Sequence, residues 1–306
     1  MAKPRIGAYR LPMLHGWIIL DKPAGLGSTQ AVSAIKRLLR EAGEPKTKVG
    51  HGGTLDPLAC GVLPIALGEA TKVAGRMLGA TKQYAFTIRF GEETDTLDAE
   101  GEVVATSAVI PTAGQVQAIL PGFTGKISQI PPAHSALKVY GKPAYARTRA
   151  GETVELKPRD VTIHELRVVS DCANEASLLA TVSKGTYVRS LARDIAHALG
   201  TVGHVSYLRR TRAGPFSLEQ AVSLDFLEEL AKARQLTRAV LPLQAALDDI
   251  PALPVTSRQA ELLRHGQRLV GIPAPPGLSL ATLEAIPVAL VEATADGLKV
   301  VRGFNL

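Results

Sequence analysis

Apolar residues along this chain fall into short runs whose period changes from one segment to the next. Gly16-Trp17-Ile18-Ile19-Leu20 is a continuous apolar run closed by Asp21-Lys22-Pro23-Ala24-Gly25, the pattern of a short buried strand ending in a turn. Val32, Ile35, Leu38 and Leu39 follow three-and-four spacing, which predicts a helix that Ser28 or Thr29 can cap. A glycine-rich loop from Gly50 to Pro57 comes next, then the apolar run Val62-Leu63-Pro64-Ile65-Ala66-Leu67. Tyr84, Phe86, Ile88 and Phe90 alternate with other residues and predict a strand with one buried face. Val161, Ile163 and the stretch Leu178 to Val182 predict further strands. Val188, Leu191, Ile195 and Leu199 line one face of a helix that Gly200 ends.

Strands outnumber helices and interleave with them, without the regular alternation that builds a parallel sheet. The expectation is an α+β core on a mixed or antiparallel sheet. A chain of 306 residues accommodates one large domain and a smaller one. Pro251 to Pro254 reads as a linker, and from Val255 onward the pattern is one helix followed by short strands. The sequence has no internal repeat.

Charge sharpens this picture. Lys and Arg outnumber Asp and Glu by 35 to 28, which favours a polyanionic partner without identifying one. Lys138, Lys142, Arg147, Arg149, Lys157 and Arg159 form one basic cluster, interrupted only by Glu152 and Glu155. Lys184 to Arg212 forms a second, with Asp194 as its one acid, whereas the charged residues from Gly91 to Glu102 are all acidic. Solvated faces are the ordinary explanation of such runs; two basic clusters flanking a candidate catalytic region shift the reading towards nucleic acid. Cys60 and Cys172 are the only cysteines, too few for a disulfide framework or a four-thiolate metal site, and they point to a reducing compartment. Met1 to Met13 lacks the apolar core of a signal peptide. No apolar run approaches the roughly 20 residues of a membrane-spanning helix, so a soluble cytoplasmic protein is expected.

The segment Gly50-His51-Gly52-Gly53-Thr54-Leu55-Asp56-Pro57 holds the best candidate chemistry. Its glycines permit tight backbone conformations, and Pro57 disfavours helical geometry at Asp56, holding that carboxylate extended at the loop's end. Residue types alone fit a plain Asp-Pro turn better. A phosphate-binding loop would need Gly-Lys followed by Ser or Thr, and a dinucleotide site a third glycine. His51 and Cys60 lack companions at a zinc-binding spacing, so no metal is expected. No base marks Cys60 as a nucleophile, and His134 beside Ser135 is not a catalytic pair by adjacency. Gly185-Thr186-Tyr187-Val188-Arg189 sits at the mouth of the Val188–Leu199 helix, where backbone N–H groups favour an anion and Arg189 can pair with a carboxylate. Tyr187 as a boundary aromatic, and Arg189 as an exposed base, is the plainer reading of the same residues. Tyr84 is open between strand packing and base stacking.

His51-Gly52-Gly53-Thr54-Leu55-Asp56-Pro57-Leu58-Ala59 resembles the catalytic loop of the TruB family of pseudouridine synthases. The likeness continues through Gly68-Glu69-Ala70-Thr71-Lys72, Lys82-Gln83-Tyr84, Asp95-Thr96-Leu97-Asp98 and Gln129-Ile130-Pro131-Pro132. It extends over Ser135-Ala136-Leu137-Lys138 and Gly185 to Leu191, ending with Tyr207-Leu208-Arg209-Arg210. The resemblance implies a synthase core with an inserted RNA-gripping segment near 129–159 and a small PUA-like C-terminal β domain, divided as 1–250 and 251–306. It implies isomerisation of uridine 55 in the T-loop of tRNA by a monomer without cofactor, on a base flipped out of its stack. Asp56 is then the catalytic aspartate and Arg189 its ion-pair partner. Tyr84 packs against the target uracil and is a candidate for proton removal; Tyr187 and Leu208 enclose the base, and His51 fills the space it vacates. Lys72, Asp98 and Lys138 match positions near the RNA. Gly52, where Thr or Ala is common, implies a change in loop flexibility, and His134 replaces a common aromatic. Two other readings stay open: a non-catalytic RNA-binding or tRNA-folding protein on this scaffold, and a guide-RNA-dependent synthase of the dyskerin type.

Overall fold

The first apolar run forms strand β1 (Gly16–Lys22), and the three-and-four pattern forms helix α1 (Ser28–Glu41) with Ala31, Ile35, Leu38 and Leu39 buried. The computed structural model describes residues 13–135, 137–139, 141–144, 147, 150, 152 and 156–306. Neither Ser28 nor Thr29 caps α1. The N-cap is Gly27, whose N–H donates to Gln30 Oε1 at 2.8 Å. Strand β2 (Val49–His51) pairs antiparallel with β3 (Cys60–Leu67), which contains the second apolar run and is buried at every position, as befits a strand covered on both faces. A 3₁₀ turn (Gly68–Lys72) and α2 (Ala74–Gly79) lead to β4 (Lys82–Phe90), where Phe86, Ile88 and Phe90 turn inward as their alternation predicts.

The acidic stretch folds as a hairpin of β5 (Glu92–Thr94) and β6 (Val103–Thr106). Helix α3 (Ala113–Ile119) precedes β7 (Gly125–Gln129), the small hairpin β8 (Lys138–Val139) and β9 (Lys142–Pro143), and the long β10 (Arg159–Cys172). Then come β11 (Glu175–Val182), α4 (Val188–Ala198), β12 (Gly203–Ala213), β13 (Phe216–Ser217) and α5 (Leu224–Lys232). One nine-stranded sheet runs β1-β3-β12-β4-β11-β10-β7, with β2 added to β3 and β13 to β12. Its β3–β12 pair is parallel and the others antiparallel, so the sheet is mixed and the α+β expectation holds. Gly61 makes the central crossing possible: a Cβ there would collide with the Arg210 carbonyl of β12.

The sheet has two covered faces. Ile18 and Leu20 of β1 point to the side packed by α1, α4 and α5, whereas Trp17 and Ile19 point to the other. That second core also takes in Leu280 and Leu290 from a separate four-stranded sheet, and Phe304, which follows that sheet's last strand. Its elements are β14 (Ala252–Pro254), α6 (Ser257–Arg264), β15 (Gly277–Leu283), β16 (Ile286–Thr294) and β17 (Gly297–Gly303). The segment read as a linker, Pro251 to Pro254, is thus mostly strand, pairing in parallel with Leu280 to Thr282 at the sheet's edge. An edge strand tolerates proline because one row of its N–H positions needs no partner. Among the described residues no helix is long and apolar enough to cross a membrane.

Candidate active site

The loop joining β2 to β3 carries Asp56, and buried side chains grip its backbone from below. Ser28, freed from capping, accepts from the Leu55 N–H and donates to the Leu55 carbonyl, both at 2.8 Å. Lys22 Nζ donates to the carbonyls of Pro57 at 3.2 Å, Pro23 at 2.9 Å and Leu26 at 2.6 Å. Arg210 donates to Gly53 O at 3.1 Å and Thr54 O at 3.3 Å. Gly52 is required by close packing rather than by flexibility, since a Cβ there would lie 2.7 Å from Met77 Cβ of α2. Burial pushes the ammonium groups of Lys22 and Lys82 down to about 8.

Arg189, one residue into α4, is the junction of the site. Its side chain is 6% exposed and pairs with Asp56 Oδ2 at 2.9 Å and Asp98 Oδ2 at 3.1 Å. It also donates to Thr96 O at 2.8 Å and His134 O at 3.0 Å. The N-cap of α4 is Tyr187, whose peptide is clamped by the buried Gln129 amide: Tyr187 N–H donates to Oε1 at 2.8 Å, and Nε2 donates to Tyr187 O at 3.1 Å. That Tyr187 N–H is therefore already bonded and not offered to an anion. Gln129 was legible only as part of a motif, because an amide in a strand has no chemical signature of its own.

Asp56, Tyr84, Tyr187, Arg189 and Leu208 converge on one cavity of about 340 Å³, in the lower part of the range of about 300–1,000 Å³ usual for ligand pockets. Asp56 is the only carboxylate among its described lining residues, and its side chain is 40% exposed. Lys82 and Arg210 form part of the same wall. A larger cavity of about 810 Å³, lined by Arg76, Gln83, Glu165 and Arg212, adjoins through Lys82 and contains none of the site residues expected from sequence.

The remaining candidates lie elsewhere. His51 is half-buried in β2, with Nδ1 3.4 Å from the Gly53 N–H; burial and then the Arg210 charge lower its pKa, which favours the neutral ring. Asp98 is buried beneath Arg189, and its Oδ1 accepts from Thr96 Oγ1 at 2.6 Å and the Glu100 N–H at 3.1 Å. Lys72 turns to the C-terminal sheet, pairing with Glu69 at 2.6 Å and donating to Gly303 O at 3.0 Å. Lys138 belongs to β8 by its backbone, while its side chain, like Arg149, falls outside the described residues. Cys60 is buried, with Sγ 3.4 Å from Arg209 Nη1. The acidic hairpin is a latch more than a solvated face. Besides Asp98, Glu93 meets His197 at 2.7 Å and Asp95 meets His134 at 3.7 Å.

A mixed sheet thus presents one loop-borne aspartate, clasped by a buried arginine, to a cavity lined by two tyrosines. Residues 36–188 match the model of the TruB family pseudouridylate synthase N-terminal domain, and residues 189–248 that of the tRNA pseudouridylate synthase B C-terminal domain. The chain belongs to the TruB family. It is 61% identical to tRNA pseudouridine synthase B of Zymomonas mobilis subsp. mobilis, over 95% of this chain and 96% of that protein. It is 60% identical to the protein of the same name from Novosphingobium aromaticivorans, over 96% of this chain and 98% of that one. Among solved structures, a chain of a Cbf5-Nop10-Gar1 complex superposes with a TM-score of 0.71 at 27% identity, covering 95% of this chain and 84% of that chain. A chain of an H/ACA RNP bound to a substrate RNA containing 2'-deoxyuridine gives 0.71 at 24% identity, covering 95% and 86%, and shares the fold.

Proposed function

We propose that this chain isomerises uridine to pseudouridine in tRNA, acting at T-loop position 55 with Asp56 as its catalytic carboxylate. The reaction breaks the C–N glycosidic bond, turns the uracil and joins its C5 to the ribose; C5 gives up a proton and the freed N1 takes one, so substrate and product have the same atoms. A uridine stacked within a folded loop must first be flipped out. Stacking on Tyr84 or Tyr187 offsets roughly 1–3 kcal/mol of that cost for one base. The observation that carries the reading is Asp56, the one carboxylate on the cavity wall among the described residues, held at 2.9 Å by a buried guanidinium and sharing the cavity with Tyr84, Tyr187 and Leu208.

The segment 129–159 is read as the RNA grip, on its basic charge, and residues 251–306 as a small PUA-like RNA-binding domain on the C-terminal sheet. The enzyme acts as a cytoplasmic monomer. A non-catalytic scaffold has no use for the Asp56–Arg189 pair aimed into a cavity. A guide-RNA-dependent role has less support, because relatives at 60–61% identity are named tRNA pseudouridine synthase B whereas the Cbf5 chain stands at 27%. Incubating the purified protein with unmodified tRNA and mapping pseudouridine tests both substrate and position. Asp56→Asn removes charge but little volume, so it is expected to abolish product while tRNA affinity stays within about threefold. Normal yield from this variant would sink the mechanism.

A further inference from the structure

Arg210 lies at the centre of the nine-stranded sheet, in register with Tyr84 of β4 on one side and Gly61 of β3 on the other. It is 1% exposed. Its guanidinium leaves the sheet beneath the catalytic loop and meets three main-chain carbonyls: Val62 at 2.7 Å from Nε, Gly53 at 3.1 Å from Nη2 and Thr54 at 3.3 Å from Nη1. Among the described residues, no carboxylate oxygen lies within 4.0 Å of it. Burying a guanidinium without an anion is unfavourable. Two more buried cations adjoin it: Lys22, and Lys82 with its ammonium on the carbonyls of Met77, Leu78 and Ala80. The Arg210 charge further lowers the pKa of both lysines.

A core selected for stability alone would not gather three cations there. The rigid planar fork of Arg210 does what a neutral side chain cannot, fixing two consecutive loop carbonyls and one carbonyl of β3 in a single plane of donors. Ser28 fixes the next residue, Leu55, through both its N–H and its carbonyl. Every residue from Gly53 to Leu55 is thereby held, and the following side chain is Asp56. We infer that Arg210 is a positioning residue for the reaction: its guanidinium sets the Gly53 and Thr54 peptides against β3 and so fixes the direction in which the Asp56 carboxylate enters the cavity. This rests on the reading of Asp56 as the catalytic carboxylate.

The test compares Arg210→Lys and Arg210→Ala with Asp56→Asn, measuring thermal unfolding, tRNA Kd and the single-turnover rate at saturating tRNA. A misplacement of about 1 Å costs on the order of 100-fold in rate. Both Arg210 variants are therefore expected to lose about 10- to 100-fold in rate with Kd within about threefold, Arg210→Lys losing less. Methylguanidinium added to Arg210→Ala should recover part of the rate without moving Kd, and do nothing to the wild type. Unchanged rates in folded variants, a loss confined to Kd, or unfolding of both variants would each overturn the assignment, the last by making the residue structural. Activity in Asp56→Asn would instead overturn the reading on which it rests, so the two failures are told apart.

Discussion

Replacing Arg189 with methionine separates its structural duty from its catalytic one. Met occupies a similar volume but leaves Asp98 buried, with Oδ2 facing no cation, and deprives the Thr96 and His134 carbonyls of a donor. Breaking a buried pair by removing one partner costs about 3–5 kcal/mol, most of it the uncompensated charge left behind. Asp56 suffers differently, because its carboxylate is 40% exposed and water replaces the lost partner. Arg189→Met should therefore unfold at lower denaturant by an amount equivalent to about 3–5 kcal/mol, and its single-turnover rate should fall while tRNA affinity changes little. Adding Asp98→Asn removes the stranded charge and should return about 2 kcal/mol of stability. It should return none of the rate, because the Asp56 carboxylate remains unclasped. Denaturant titration and single-turnover assays of the two singles and the double decide it. Recovery of rate together with stability would refute the division and make Arg189 a scaffold residue only.

Stability should rise with pH in the alkaline range. Lys22 and Lys82 hold their protons only to about 8 in the folded state against 10.5 unfolded, so between those values the unfolded chain binds more protons. The slope is up to about 1.4 kcal/mol per pH unit for each lysine, and Lys22→Met should remove one lysine's share in denaturant titrations at pH 8, 9 and 10; an unaltered slope would contradict the assignment. Lys72→Met should loosen the C-terminal sheet by about 0.5–1.5 kcal/mol and speed proteolytic cleavage near β17, where Gly303 now accepts its ammonium. Neutralising Lys138, Lys142, Arg147 and Arg149 together should reduce the salt slope of tRNA binding by about 0.7–0.9 for each phosphate that no longer meets a cation. Because Arg147 already faces Glu152 at 2.6 Å, a total fall of about one to two units is expected, and an unchanged slope would place the RNA elsewhere.

What the sequence made legible follows from where its periods survive. The three-and-four spacing of Val188, Leu191 and Ile195 is unbroken, and α4 appears where it predicts. In β12 register shifts between Val205 and Tyr207 and between Arg210 and Arg212 break the alternation. This long central strand was visible only as the motif Tyr207-Leu208-Arg209-Arg210, and bulges are the physical reason. Leu208 and Arg210 share a face; an arginine two positions from an inward leucine was the available sign of a buried cation. The convergence of Asp56, Arg189, Tyr84, Tyr187 and Leu208 on one cavity was legible through the motifs alone, since loop, strand and helix meet there from distant parts of the chain. The inward position of Asp98 and the turn of Lys72 toward Gly303 were not. An ionic partner far away in sequence leaves no local pattern.

The basic segment leaves the sheet at Gln129 and returns at Arg159, and those two residues are register partners in β7 and β10. The sheet itself therefore holds the ends of this excursion side by side, whatever lies between them. Loop-closure entropy grows only by about 0.6 kcal/mol for each doubling of length, so the reach of this arm is free to vary. The first part of the excursion is tied to the chemistry, since His134 O accepts from Arg189 and Leu137 lines the Asp56 cavity, so a longer, shorter or differently charged arm can be grafted only beyond Leu137 without disturbing the clasp on Asp56.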